Sequence, residues 1–342
     1  MRRLQKAVRS SATLPVIVLC AAALCFVNGG GPSPAAGVAA SHRLGADSPA
    51  VPSKTAPSEK SSPQILFDDF SYSDRREMAR HGWIVRTAAG WPGVPGATWW
   101  PEGVTFLDDD AGSRAGRILR MTSSTDGTGE HTKQTQICHQ RKYFEGTYAA
   151  RVRFTDEPLR GPGGDQLVES FYTISPLKAP MDPDYSELDF EYLPNGGWGV
   201  AGPTLYETTW ETFSPEPNWK KDNVFDMTNG TRAGWHTLVT QVAGGKVRYF
   251  VDGIRQAEHG ERFYPESLMS INFNLWFIKD GAAKVQGARS YNEDIDWVFF
   301  ESKSALTPEE VESRVANLRR RHVAFRDTVP APVPALASPC NF

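Results

Sequence analysis

The chain has 342 residues, 40% of them hydrophobic and 11% aromatic, and its formal net charge at pH 7 is −3. A chain of about 300 residues buries roughly 75% of its unfolded surface, so this length suffices for one large domain with its own core. The near-neutral charge, without a basic stripe interleaved with aromatic residues, argues against nucleic acid as the main partner.

The N-terminus has the pattern of a targeting segment. Basic residues at positions 2–9 precede an almost wholly apolar run over residues 14–27, and small residues follow at 37–40. The apolar run is shorter than the ~20 residues that a membrane span needs. We therefore expect residues 1–40 to be a cleaved signal peptide and the protein to be secreted, with no membrane partner after cleavage. An uncleaved membrane anchor is the alternative.

Residues 41–64 are rich in Pro, Ser and Ala and show no hydrophobic period. Such a composition is typical of a disordered linker, and no secondary structure is predicted there.

From residue 65 to 302 the pattern is one of short strands broken by Gly, Pro and Asn turns. The dipeptide Gly244-Gly245 between two alternating runs is a hairpin signal. No stretch here keeps a helical period over a useful length. The predicted strands cover residues 65–70, 116–121, 146–154, 167–174, 185–193, 204–213, 236–242, 246–251, 270–277 and 294–300. This region is predicted to be a large all-β domain of two packed sheets.

Residues 303–342 are predicted to form a helix and a Pro-rich tail. The segment 307–310 reads Thr-Pro-Glu-Glu, a capping box with Pro at the first helical position. Val311, Val315 and Leu318 mark one apolar face. The arginines at 319–321 would complement the helix dipole at its C-terminal end.

Export would leave two cysteines in the mature chain, Cys138 and Cys340. In an oxidising compartment they can form a disulfide that pins the tail to the body. A buried thiol and a loose tail cysteine are the alternative, and the sequence leaves both open.

One predicted strand carries a row of acids. Glu187, Asp189 and Glu191 alternate with Leu188 and Phe190. On a strand the three carboxylates share one face and the apolar residues share the other. The like charges repel each other, and the segment contains no Lys or Arg to relieve them. Such a row indicates a function.

Two carboxylates that face one sugar bond can hydrolyse it, one as nucleophile and one as proton donor. Retaining enzymes need the pair ~5–5.5 Å apart, whereas Cα atoms at i and i+4 of a straight strand are ~13 Å apart. The tips must therefore lean together, as a bent sheet permits. The alternatives are a solvated acidic face and a Ca²⁺ site, although a straight row does not wrap an ion.

These residues carry a family resemblance. The segment Glu187-Leu188-Asp189-Phe190-Glu191 resembles the E-x-D-x-E signature of glycoside hydrolase family 16, the laminarinase and lichenase group of retaining endo-glycanases. Further similar segments occur in the same order over residues 67–300: 144–151, 168–174, 235–237 with 249–253, and the Asn-Leu-Trp of 274–276.

The resemblance implies a β-jelly roll of two antiparallel sheets, similar to concanavalin A, with an open cleft on its concave face. By position, Glu187 would be the nucleophile, Asp189 an assisting acid and Glu191 the general acid/base. The family pattern also implies sugar platforms in the cleft: Trp99 or Trp100, and Trp276.

Several positions depart from the lichenase pattern and concern substrate choice. Tyr185 replaces a stacking tryptophan just before the signature, and Gln136 stands where lichenases place an acidic residue that contacts sugar. Tyr206 and Trp210 lie on the strand after the signature. These changes put a strict mixed-linkage specificity in doubt and leave the catalytic assignment untouched.

The sequence therefore predicts a secreted, monomeric, endo-acting retaining hydrolase of a β-linked polysaccharide, most simply a β-1,3- or β-1,3-1,4-glucan. It would need no cofactor for catalysis and no catalytic metal, and the resemblance leaves a structural Ca²⁺ open. A lectin-like jelly roll that binds polysaccharide without cutting it is one alternative. A transglycosylase that uses the same site is the other.

Overall fold

The strand-rich pattern folds into two antiparallel sheets packed face to face. The computed structural model describes residues 63–108, 116–338 and 340, so the predicted signal peptide and most of the predicted linker lie outside the described residues. The helices and strands are β1 (Ile65–Asp68), α1 (Arg75–Arg80), β2 (Ile84–Val85), β3 (Thr98–Trp99), β4 (Val104–Asp108), β5 (Arg117–Thr125), β6 (Lys133–Cys138), β7 (Gly146–Phe154), β8 (Leu167–Ile174), β9 (Glu187–Leu193), β10 (Thr204–Ser214), β11 (Lys220–Asn229), β12 (Gly234–Ala243), β13 (Lys246–Val251), β14 (Ile254–Gly260), β15 (Ser270–Phe277), β16 (Arg289–Ser302), α2 (Pro308–Arg320) and β17 (Phe325–Asp327).

The first sheet, called the front sheet, has the order β11–β10–β9–β8–β15–β6–β2. The second, called the back sheet, has the order β14–β13–β12–β7–β16. On its other side the long strand β16 pairs with β5 along its first half and with β1 along its second half. This is the antiparallel sandwich of jelly-roll type that the sequence predicts, and β9 is an interior strand of the front sheet, between β10 and β8.

Alternation along the strands builds the core between the sheets. Leu188, Phe190 and Tyr192 of β9 point inward and join one large buried apolar cluster. Phe190 packs edge-on against Tyr249 of the back sheet, with ring centroids 5.2 Å apart. Because these side chains are committed to the core, the carboxylates between them must point to the outer face of the front sheet.

Helix α2 packs on the outer face of the back sheet. The predicted capping box is present, with Thr307 as the N-cap residue and Glu310 as its partner. Val311, Val315 and Leu318 are buried against this sheet, as the period predicts. The dipole account of the arginines at 319–321 is incomplete, because Arg319 also ion-pairs at 2.5 Å with Asp296, a fully buried carboxylate of β16.

The C-terminal tail is tied to the front sheet. Cys138 of β6 and Cys340 form a disulfide with their Cα atoms 5.7 Å apart. Cys340 thereby lies against β2, where its sulfur is 3.5 Å from the carbonyl oxygen of Ile84.

The sequence prediction lacks helix α1 and seven strands, β2, β3, β4, β6, β11, β14 and β17. The six-residue helix α1 lies in the region where no helix was expected, and the side chain of Asp74 caps its N-terminus. Strand β11 was missed because its residues are mostly exposed at the sheet edge and its apolar residues, Val224, Phe225 and Met227, do not sustain an alternating pattern along the strand.

Within the described part of the chain, neither helix is long and apolar enough to cross a membrane.

Candidate active site

Strand register brings the three carboxylates onto one face of the front sheet. On β10, Trp210 lies opposite Glu187 and Tyr206 lies opposite Glu191. On β8, Ser170 also lies opposite Glu191. Residues directly opposite each other on neighbouring antiparallel strands project to the same face. The carboxylate row is therefore flanked on both sides by polar and aromatic side chains.

The carboxylate row opens into a cavity of about 440 Å³. That volume lies in the range of small-molecule sites, roughly 300–1,000 Å³. Glu187 and Glu191 are partly exposed to the cavity, whereas Asp189 between them is only 3% exposed. The other residues that line the cavity include Arg86, Trp91, Gln136, Tyr172, Phe213 and Trp276.

Glu187 has a dedicated hydrogen-bond donor. The hydroxyl of Tyr185 donates to Oε2 of Glu187 at 2.5 Å. Burial raises the pKa of Glu187, and this hydrogen bond lowers it again, leaving it at about 7. Burial and the charge of Glu187 keep the pKa of Tyr185 well above its usual range, so its hydroxyl keeps its proton. Tyr185 thus favours the ionised form of Glu187.

Glu191 holds its proton more tightly. Burial and then the charge of Glu187 raise its pKa to about 8. No hydrogen bond among the described residues offsets that rise in the way that Tyr185 does for Glu187. Burial thus raises the pKa of both glutamates, and of the two only Glu187 has a hydrogen bond from a described residue that favours its ionised form.

Asp189 lies buried between them. Burial, followed by the charges of Glu187 and Glu191, raises its pKa well above the usual range. The indole N–H of Trp210 donates to Oδ2 of Asp189 at 2.8 Å. Protonation of Asp189 would relieve the repulsion along the row, since no cation lies within it.

Arg86 organises one wall of the cavity. Its guanidinium donates at 2.9–3.0 Å to Oε1 of Gln136 and to the carbonyl oxygens of Ala88 and Trp91. It also stacks on Trp99, 4.3 Å from the ring centroid. This single side chain fixes the loop at 88–97, whose Trp91 reaches Phe213 on the opposite wall with ring centroids 5.7 Å apart.

The sequence-predicted binding residues are only partly brought together. Trp276 and Tyr185 line the cavity. Gln136 also lines it, but its amide is engaged, accepting from Arg86 and donating to the hydroxyl of Tyr172 at 2.8 Å. Trp210 reaches the carboxylate row through its bond to Asp189.

The remaining predicted residues lie beside the cavity or away from it. Trp99 is 3% exposed and packs beneath Arg86, so it supports the wall. Trp100 points toward β5, where its N–H donates to the carbonyl oxygen of Thr122 at 3.2 Å. Tyr206 is 6% exposed on the same face as the carboxylates.

Sequence reasoning missed Arg86, Trp91 and Phe213. Trp91 stands in a loop that is otherwise rich in Gly, Pro and Ala. An aromatic residue with no apolar period around it is a signal that could have drawn attention to this loop. Arg86 gives no comparable signal, because its role depends on acceptors distant in the sequence.

No group of three or more His, Cys, Asp or Glu side chains suited to a metal ion occurs in the part of the chain that the structure describes. The expectation of a structural Ca²⁺ stays a prediction, and no step below depends on it.

Comparisons with known proteins support the fold. No protein-family model matches the chain, and no curated protein matches it. One similar solved structure is a GH16 protein of the Bacteroides ovatus mixed linkage glucan PUL, in complex with a G4G4G3G product. It is 14% identical to this chain with a TM-score of 0.52, and the match covers 68% of this chain and 98% of that one. A glycoside hydrolase family 16 endo-glucanase from Bacteroides ovatus in complex with G4G3G-2F-DNP is 14% identical with a TM-score of 0.51, at the same coverage.

A laminarinase from Flavobacterium sp. UMI-01 is 13% identical with a TM-score of 0.50, covering 70% of this chain and 100% of that one. At these identities the likeness establishes the fold, and it is the fold that the sequence resemblance implies.

Proposed function

We propose that the chain is a secreted, endo-acting, retaining glycoside hydrolase of family 16 that cleaves a β-linked polysaccharide, in the first instance a β-1,3- or β-1,3-1,4-glucan. One observation carries the proposal: two glutamates on one strand face share a cavity, and the hydroxyl of Tyr185 donates a hydrogen bond to one of them, Glu187. The fold likeness to a laminarinase and an endo-glucanase supports the same activity.

In the first step the ionised Glu187 attacks the anomeric carbon. The glycosidic C–O bond breaks, and the leaving oxygen takes the proton of Glu191. In the second step the Glu191 carboxylate accepts a proton from water, whose oxygen attacks the same carbon and releases Glu187. Neutral Asp189 adds no further charge to the row, so Glu187 can ionise first.

Export is part of the proposal. It is supported by the basic and apolar pattern of residues 1–40. It is also supported by the disulfide between Cys138 and Cys340, because such bonds persist in oxidising compartments. N-terminal sequencing of the protein recovered from culture medium tests it, and a first residue before position 20 would count against it.

Hydrolysis is tested by a reducing-sugar assay against laminarin, lichenan, xyloglucan, agarose and galactan. We expect release of sugar from at least one of them and a loss of at least about 1,000-fold in Glu187→Gln. Binding without cleavage by the parent would assign the chain to the lectin-like alternative. Products longer than the substrate would assign it to transglycosylation.

The role of Glu187 as nucleophile has its own test. In Glu187→Gly, added azide can attack the anomeric carbon from the vacated side while Glu191 protonates the leaving oxygen. The expected product is a glycosyl azide with inverted configuration. Azide rescue in a Glu191 variant only, with none in Glu187→Gly, would reverse the two roles.

A further inference from the structure

The loop at 88–97 spans the front sheet from one side of the cavity to the other. It begins beyond Arg86, whose backbone N–H donates at 3.0 Å to the carbonyl oxygen of Gln136 on β6. Phe213, which the ring of Trp91 contacts, lies on β10. Strands β9, β8 and β15 lie between β10 and β6. The contact between Trp91 and Phe213 therefore bridges four strand spacings, roughly 19 Å of the sheet face.

This span forms a roof over the carboxylate row. Residues 89–92 of the loop line the same cavity as the three carboxylates of β9. The carboxylates project from the sheet, whereas the loop belongs to no strand of it, so the two form opposite walls. The ring of Phe213 also packs against that of Tyr185, with centroids 5.3 Å apart, and Tyr185 bonds to Glu187. The roof thus closes at the Glu187 end of the row.

The backbone of the loop is fixed to the wall from which it starts. Four of its carbonyl oxygens, at residues 88, 90, 91 and 92, accept hydrogen bonds at 3.0–3.3 Å from side chains of that wall: two from Arg86, one from Trp99 and one from Gln134. Gly93 lies so close to Gln134 that a Cβ at this position would stand 2.1 Å from the side-chain oxygen. The loop therefore keeps its position while a substrate enters.

The far end of the roof is a single side chain. Trp91 is 62% exposed, although its ring reaches that of Phe213 with centroids 5.7 Å apart. Exposed side chains change rotamer within nanoseconds, so the indole can swing away without any movement of the backbone. An interior segment of a polysaccharide can then enter from the side, and the indole closes over it.

We propose that Trp91 and Phe213 form a closing roof over the sugar unit beside Glu187, and that this roof makes the protein select unbranched stretches of its polysaccharide. The inference rests on the proposed function, because the covered sugar is the one that Glu187 attacks. A branch on that sugar would occupy the space into which the indole closes. The selection is steric, and it acts on the covered sugar unit.

Trp91→Ala is the main test variant, since an exposed side chain can be removed without opening the core. Phe213→Ala removes the other half of the contact, and the double variant completes a double-mutant cycle. Trp219→Ala is the matched control, because its ring also packs on Phe213, with centroids 5.8 Å apart, but does not line the cavity.

Two substrates are compared for each variant by their kcat/KM. The first is the polysaccharide that the parent cleaves among laminarin, lichenan, xyloglucan, agarose and galactan. The second is a hydroxyethyl derivative of the same polysaccharide, whose substituents stand in for branches. The ratio of the two values measures the selection against substituted sugars.

We expect the parent to cleave the derivative with a kcat/KM at least about 10-fold below that of the plain polysaccharide, as for other steric exclusions from a closed site. In Trp91→Ala this ratio should fall by about 3-fold or more. Phe213→Ala and the double variant should show the same fall, because all three break one contact. The ratio in Trp219→Ala should match that of the parent.

Equal kcat/KM values of the parent for the two substrates, or an unchanged ratio in both single variants, would overturn the roof and leave the hydrolase intact. A loss by the same factor on both substrates in Trp91→Ala would show that Trp91 binds sugar without excluding branches, and would also overturn it. If the parent cleaves none of the five polysaccharides, the proposed function fails and the roof fails with it.

Discussion

The hydroxyl of Tyr185 lies 2.5 Å from Oε2 of Glu187, two residues further along the chain, and donates to it. A hydrogen bond to a charged group contributes about 1.5–3 kcal/mol, which corresponds to roughly 1–2 pH units. In Tyr185→Phe the pKa of Glu187 should rise by about that amount. The acid limb of the plot of kcat/KM against pH should shift to higher pH by the same amount, because Glu187 acts in its ionised form.

Tyr143→Phe is the control for this substitution, because Tyr143 is equally buried but bonds to His139. Its acid limb should match that of the parent. An unmoved acid limb in Tyr185→Phe would show that the phenol does not tune Glu187.

Asp189 offers a second test of the protonation pattern. Because burial and the charges of both glutamates raise its pKa well above the usual range, we expect Asp189 to stay protonated when Glu187 ionises. A neutral amide should therefore replace it at modest cost, and Asp189→Asn should retain about 100-fold more kcat/KM than Glu187→Gln. Equal losses in the two variants would mean that Asp189 carries a charge or a proton that the reaction needs.

The sequence predicts the face of the carboxylate row because a strand has a strict period of two. Once Leu188 and Phe190 enter the core, Glu187 and Glu191 can only point outward. The helix α2 is predictable for a similar reason, since its capping box and apolar stripe are local patterns. These features depend on neighbours along the chain, and the structure agrees with them.

The walls of the cavity depend on neighbours distant in the sequence. Arg86 donates a hydrogen bond to Gln136, fifty positions later in the sequence, and Trp91 contacts Phe213 across the cavity. No local pattern encodes either contact. The order of ionisation is equally hidden, because it depends on the direction of one phenol hydroxyl. Strand β11 escapes detection because a solvated edge strand needs no apolar alternation.

Arg86 should affect substrate binding more than chemistry. Its guanidinium holds two loop carbonyl oxygens and Gln136 at once but does not touch the carboxylates. In Arg86→Met the loop that carries Trp91 loses these bonds, and KM should rise about 10-fold with a smaller change in kcat. Arg86→Lys should not restore KM, because an ammonium cannot span the same three acceptors. A loss confined to kcat would place Arg86 in the chemical step instead.

The disulfide should stabilise the fold. It closes a segment of 202 residues between Cys138 and Cys340, and the chain-entropy relation gives an upper value of about 5 kcal/mol for a loop of that size. Cys340→Ser should lower the midpoint of guanidinium denaturation, and the parent should match the variant when dithiothreitol is added. Equal midpoints of the parent with and without reductant would show that the bond contributes nothing to stability.

A buried pair of acids in the core makes stability depend on pH. Glu293 of β16 and Glu169 of β8 are both fully buried between the sheets. Burial and then the charge of Glu169 raise the pKa of Glu293 well above its ordinary value. Because the folded state binds this proton more tightly than the unfolded state, the stability is complete below about pH 4.5 and is lost as pH rises through the folded-state pKa.

Glu293→Gln should remove one titrating group, so the free energy of unfolding should fall less steeply between about pH 5 and 9. At the upper end the variant should be more stable than the parent, because burial makes the charged form of Glu293 unfavourable in the folded state. Urea denaturation across this pH range measures the free energy of unfolding of the parent and of the variant. Glu130→Gln is the control, since Glu130 is exposed and its curve should follow that of the parent. If the free energy of unfolding of Glu293→Gln changes with pH in parallel with that of the parent, Glu293 keeps one protonation state throughout this range.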